Sequence, residues 1–167
     1  MVIACSDSRV DPQTIFGAVP GEMFVLRNVA ALVPPYEPES PGYHGTSAAL
    51  EFGVRVLRVS NLVVLGHAQC GGVRALAYGA PPQAGDFVAA WVDIAKPALD
   101  GDPGEASPGR LAALEAGVVR VSLTNLMKFP WVRDAVEAGR LQVKGYVFDI
   151  HTGVLSQILP EGVATVE

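Results

Sequence analysis

The chain has 167 residues, half of them hydrophobic and 17% charged, a composition that builds an ordinary folded core rather than a disordered or low-complexity chain. A net charge of −5 supplies no basic stripe for nucleic acid and no polybasic patch for anionic lipid. The apolar residues behind the mean hydropathy of +0.32 are spread through the chain, with no run of the 18 or so that a membrane-spanning helix needs.

Taken in chain order, apolar runs alternate with helical patterns. Val2-Ile3-Ala4 leads into Cys5 as a first strand, and Met23-Phe24-Val25-Leu26 reads as a second. The Pro/Gly-rich stretch 33–42 is a loop. Thr46 or Ser47 can cap a helix running to about Arg58. Leu62-Val63-Val64-Leu65, β-branched and closed by Gly66, is the clearest strand, and Gly71 to Leu76 starts a helix directly after Cys70. Stretches 80–85 and 100–109 are further loops, separated from the end of the chain by a helix whose core stripe is Leu111, Leu114, Val118 and Val121. Gly145 to Ile150 is a fourth strand, ended by Thr152-Gly153, and Val154 to Leu159 can return beside it as an antiparallel edge strand. Strands alternating with helices predict an α/β fold: a single domain over residues 1–167, without internal repeats, whose mostly parallel open sheet is flanked by helices.

The chemistry concentrates in two short motifs. The chain has two cysteines and three histidines; both cysteines and one histidine fall in Cys5-Ser6-Asp7-Ser8-Arg9 and His67-Ala68-Gln69-Cys70. Two sulfurs and an imidazole are three of the four ligands of a tetrahedral zinc, and a fourth position left open marks a catalytic site rather than a structural one. A disulfide is the competing reading, but it requires an oxidising compartment, and the residues before Cys5 show neither the basic nor the apolar part of a secretion signal. Reduced, metal-bound cysteines in a cytoplasmic protein are therefore expected. Cys5 and His67 each follow a predicted strand, where open α/β sheets place their ligand crevices, and Cys70 stands at a helix start, where the macrodipole favours a thiolate.

Cys5 to Arg9 followed by Gly66-His67-Ala68-Gln69-Cys70-Gly71-Gly72 resembles the zinc site of the β-class carbonic anhydrases, in a plant-type-like subgroup. Pro20-Gly21-Glu22, Arg27-Asn28-Val29-Ala30, Ser47 to Phe52, Ser122 to Leu126 and Phe148 to Gly153 agree with the same family, so the resemblance covers almost the whole chain. It implies that Cys5, His67 and Cys70 bind Zn2+ and that zinc-bound hydroxide attacks carbon dioxide, giving bicarbonate and a proton. Asp7 would accept a hydrogen bond from the hydroxide while Arg9 keeps it ionised and oriented. In some members this aspartate leaves its arginine and becomes the fourth zinc ligand in a closed state. That subset carries Trp and Gly where this chain has Val2 and Ala4, which argues against closure here; Arg27 serves an inhibitory site in the subset but is widespread in the family.

Phe24, Val29 and Phe52 match positions lining a narrow carbon dioxide pocket, partly across a subunit boundary, whereas burial preference alone makes all three core residues. His44 reads as a loop histidine, His151 as a solvent-facing turn residue with a proton-shuttle role as its minor alternative, and Glu51 and Glu115 as surface or helix-pair charges. The resemblance further implies a homodimer or higher homo-oligomer, with no nucleic-acid or membrane partner. Relatives carry a few dozen largely helical residues before the first strand, packed across a dimer partner; with Met1 only four residues before Cys5, weaker dimerisation and lower turnover are expected. Two alternatives stay open: hydrolysis of carbon disulfide or carbonyl sulfide on the same scaffold, and a non-catalytic or shell-associated zinc-binding protein.

Overall fold

The computed structural model describes residues 1–100, 102, 104–105, 107–159 and 162–166. Its six strands are β1 (Val2–Cys5), β2 (Val25–Asn28), β3 (Asn61–His67), β4 (Gln142–Phe148), β5 (Leu155–Ile158) and β6 (Val163–Thr165). They form one sheet in the order β2-β1-β3-β4-β5-β6. The first four are parallel, and β5 and β6 add antiparallel at one edge. This is the expected mostly parallel α/β sheet.

Among the described residues six α-helices accompany it: α1 (Pro12–Phe16), α2 (Gly45–Glu51), α3 (Gly71–Tyr78), α4 (Val88–Val92), α5 (Pro108–Leu126) and α6 (Pro130–Glu137). No described helix is long and apolar enough to cross a membrane. Successive residues of β1 and β3 point to opposite faces, and both faces are covered. Ile3, Leu62 and Val64 pack with Leu50 of α2, Val119 of α5 and Val132 of α6, while Val2, Ala4 and Leu65 pack with Ile15 and Phe16 of α1. That two-sided burial explains why these strands are continuously apolar.

The chain leaves β1 toward β2 on one side and then crosses to β3 on the other. The crevice beyond the carboxyl ends of β1 and β3 is thus the point where strand order reverses, the place where open α/β sheets bind ligands. Cys5 and His67 are the last residues of those two strands.

Several elements differ from their sequence-based bounds. The second strand is Val25–Asn28 rather than Met23 to Leu26, because its register is set by pairing with Val2–Cys5, which draws in polar Arg27 and Asn28. The helix expected to be capped by Thr46 or Ser47 begins at Gly45; Thr46 is buried, and its Oγ1 accepts a bond from Asn28 instead of capping. After Glu51 this helix widens into a π turn, Phe52–Val56. The fourth strand spans Gln142–Phe148 and stops where the Asp149 carboxylate accepts bonds from the His151 and Thr152 amides. Loop 33–42 holds neither helix nor strand, whereas loop 80–85 contains a 3-10 turn at Pro82–Ala84. The last two residues of the 100–109 loop open α5, capped by Ser107; positions 101, 103 and 106 of that loop lie outside the described residues.

Candidate metal centre

Cys5 ends β1 in a buried position, and the chain turns through Ser6 to Arg9 directly beyond it. Arg27, reaching over from β2, donates from Nε to the Cys5 carbonyl at 3.0 Å and from Nη2 to the Asp7 carbonyl. One guanidinium thus fixes the main chain on both sides of Ser6. Asn28 holds the other wall: its Oδ1 accepts from the Leu32 amide and its Nδ2 donates to the Leu32 carbonyl, both at 2.8 Å. This pairing encloses Ala30 and Ala31, which both have left-handed backbone at φ 63° and 53°. The resemblance marked Asn28 only as part of a matching block, and Arg27 also for an inhibitory site in a subset of the family; here both shape this turn.

Asp7 and Arg9 meet as a forked ion pair. Arg9 donates from its main-chain N and its Nε to Oδ1, at 3.0 and 2.9 Å, and from Nη2 to Oδ2 at 2.7 Å. These bonds, led by the guanidinium's own, hold the Asp7 carboxyl well below the usual carboxylate range. Asp7 Oδ2 lies 4.0 Å from His67 Nε2.

His67 is buried at the end of β3. Its Nδ1 is 2.9 Å from the Ala68 carbonyl, an acceptor only, so the ring proton sits on Nδ1 and Nε2 presents a lone pair. That Nε2 is buried and has no hydrogen-bond partner among the described residues. An orphaned nitrogen of this kind is costly unless another ligand satisfies it. Cys70, at the N-cap position of α3, completes the group: the Cys5 and Cys70 sulfurs are 3.9 Å apart, within reach of a thiol hydrogen bond and not joined as a disulfide. The ligand atoms of Cys5, His67 and Cys70 all lie within 4.8 Å of one another. Two sulfurs and an imidazole lone pair converging on one point form a donor set that a metal ion fits.

The charges of this triad are coupled. The hydrogen bond from Cys70 lowers the pKa of Cys5 against the cost of burial. The same Cys70–Cys5 contact, together with burial, holds the proton on Cys70. The Gly72 and Val73 amides of α3 pull the other way, so the helix-start effect expected for Cys70 is present but outweighed. Burial disfavours the charged His67 ring, yet the charge of the neighbouring Cys5 sulfur and the Ala68 carbonyl more than offset it and raise its pKa.

Three side chains depart from their expected places. Glu115 is not a surface charge: it is buried on α5, and its Oε1 accepts from the Gln69 amide at 2.6 Å. Burial pushes its pKa up, and the Gln69 and Cys70 amides partly restore the charged form. Val29 and Phe52 are not core residues, being 36% and 46% exposed. Val29 faces a groove of about 530 Å3 with Phe87 and Trp91, and Trp91 Nε1 donates to the Val29 carbonyl at 2.8 Å. Phe24 is half-buried against Phe52, with ring centroids 5.8 Å apart. The remaining histidines and Glu51 match expectation: His44 is in the loop before α2, His151 is exposed, and Glu51 pairs with Arg55 one turn along. His151 Nε2 also accepts from Gln69 Nε2 at 2.7 Å.

A family model described as carbonic anhydrase matches residues 1–155. The chloroplastic β carbonic anhydrase 5 of Arabidopsis thaliana is 40% identical over 152 residues, which are 87% of this chain and 49% of that protein. A carbonic anhydrase of Pseudomonas aeruginosa is 41% identical over 156 residues, 92% of this chain and 70% of that one. Among solved structures, a β-carbonic anhydrase of Sordaria macrospora, from a pair described as tetrameric, matches with a TM-score of 0.81 at 28% identity, covering 98% of this chain and 80% of that one. The chain therefore spans about half the length of the Arabidopsis relative.

Proposed function

Because this chain belongs to the β class of carbonic anhydrases, we propose that it catalyses the reversible hydration of carbon dioxide to bicarbonate and a proton, with zinc held by Cys5, His67 and Cys70. The observation that carries this reading is the buried, unpartnered Nε2 of His67, set between two thiols and 4.0 Å from an ionised aspartate. The spacing of the thiols supports zinc in particular: sulfurs about 2.3 Å from a tetrahedral zinc stand roughly 3.8 Å apart, and Cys5 and Cys70 are 3.9 Å apart.

Zinc in this set supplies the Lewis acidity that makes water nucleophilic near neutral pH. The protein's own groups do the rest. Cys5 and Cys70, as thiolates, cancel the formal charge of the ion and so weaken that acidity, which gives a neighbouring acceptor more to do. Asp7, anionic and held in place by Arg9, offers Oδ2 as that acceptor; it takes a hydrogen bond from the attacking water and aims the water's free lone pair at the substrate carbon. Its forked pairing with Arg9 supports an open centre, in which Asp7 orients water rather than ligating the ion. Val10, Ala30, Leu32 and Val73 pack around the two cysteines and limit access of bulk water. Phe24, Val29 and Phe52 are read as the apolar substrate side. The exposure of Phe52, Val56, Leu57 and Phe87 supports a homo-oligomer in which a second copy covers them.

Stopped-flow carbon dioxide hydration across pH, on zinc-loaded wild type and Asp7→Ala, tests the reading. Wild type is expected to be active, and Asp7→Ala to lose about 10- to 100-fold while keeping its zinc. A fully zinc-loaded wild type inactive even at high pH would leave a non-catalytic zinc protein.

A further inference from the structure

One buried acid behind the candidate ligands has no task in the reaction as described. Glu115 is 6% exposed, and no lysine or arginine lies within ion-pair distance of it among the described residues. Its Oε1 instead takes the Gln69 main-chain N–H at 2.6 Å, across 46 positions of sequence. Gln69 stands between His67 and Cys70 and has a left-handed backbone at φ 58°, a conformation that a side-chain-bearing residue adopts at a cost and that its surroundings must hold. The Gln69 side chain is tied separately, through Nε2 to His151 Nε2 at 2.7 Å. Main chain and side chain of this one residue are thus fixed by two different parts of the fold, α5 and the β4–β5 turn.

Resting on the metal centre proposed above, we propose that Glu115 is a positioning residue for the second ligand turn. By holding the Gln69 amide against rigid α5, it maintains the left-handed turn that brings Cys70 to 3.9 Å from Cys5 and keeps His67 Nε2 aimed at the same point. Glu115 touches neither metal nor substrate; it acts through the backbone amides of the ligand turn, that of Gln69 above all. What it requires is an oxygen acceptor at that reach, so a glutamine serves and an alanine does not.

Wild type, Glu115→Ala and Glu115→Gln are to be compared by zinc competition against a chromogenic chelator and by the visible spectrum of the cobalt(II)-substituted proteins. Glu115→Ala is expected to bind zinc about 10- to 100-fold more weakly, with shifted thiolate-to-cobalt bands, and Glu115→Gln to stay close to wild type in both. Alanine binding as tightly as wild type, or glutamine failing as badly as alanine, overturns the proposal. Hydrogen exchange in unmodified, metal-free protein tests it without any variant: the Gln69 amide should exchange as slowly as the core amides of α5, and exchange at the rate of an open loop overturns the proposal. A wild type that binds no zinc would sink the metal centre instead, leaving the Gln69 exchange rate to decide on Glu115.

Discussion

Arg9 surrounds the Asp7 carboxylate with three donors, two on Oδ1 and one on Oδ2. Because the pairing lowers the pKa of Asp7 in the folded state, its stabilisation is present above the unfolded value of about 3.9 and is lost as pH falls through the folded one. The Arg9 side chain is 48% exposed, so solvent screens the pair and its contribution lies in orientation rather than stability. Arg9→Met should therefore raise the Asp7 pKa toward the ordinary value, followed by carboxyl NMR titration. It should cut hydration by about 10- to 100-fold at neutral pH, where Asp7 is still ionised but free to rotate, and leave zinc content unchanged. Loss of zinc in this variant would show that Arg9 supports the ligands rather than the acceptor. At this scale the sequence was informative wherever function demands a rare residue type: Cys5, His67, Cys70, Asp7 and Arg9 all stood out. Glu115 did not, because its partner is a main-chain amide, and such a bond has no side-chain signature at the other end. Beside Leu114, it read as the polar flank of a helix.

Two glycines decide how α5 meets the sheet. A Cβ on Gly66 of β3 would stand 2.7 Å from Val119 Cγ2, and one on Gly145 of β4 would stand 2.6 Å from Val119 Cγ1 and 2.8 Å from Leu123 Cδ1. Such distances force a shift of a branched, packed side chain, so Gly145→Ala is expected to cost about 1–3 kcal/mol in urea denaturation. A cost of no more than about a few tenths of a kcal/mol would mean α5 is free to move away, and with it Glu115. The elements legible in the sequence are those with a continuous apolar run, a clear start or a long stripe: β1, β3 and β4 among the strands, α2 and α3 from their beginnings, and α5, long enough to show a stripe. Those that escaped it, α1, α4 and α6, are 5, 5 and 8 residues long, too short for a 3.6-residue period to declare itself. β6 escaped for another reason: all three of its residues are exposed, so no burial pattern marks it. The left-handed residues Ala30, Ala31 and Gln69 also carry no signal, since neither alanine nor glutamine favours that conformation and only the assembled fold imposes it.

The three candidate ligands meet at the point where the topology of the sheet changes direction. Cys5 closes β1, and His67 and Cys70 flank the step from β3 into α3, so an ion held by the three would tie neighbouring strands whose ligands are far apart in sequence. In the unfolded chain that separation must be closed at an entropic cost, which makes binding to the folded state the stronger. Zinc should therefore stabilise the whole fold by mass action, about 4 kcal/mol when free zinc exceeds the dissociation constant a thousandfold. For a chain of this size that corresponds to a melting temperature roughly 8–16 °C higher than in excess chelator. Since the metal must displace the proton that Cys70 retains beside Cys5, the zinc-dependent part should grow as pH rises. Differential scanning calorimetry with zinc and with chelator, at two pH values, measures both effects, and Cys5→Ser supplies the control. If the variant gains as much from zinc as wild type does, the stabilising ion sits elsewhere, and the crevice between β1 and β3 is not where the molecule is tied.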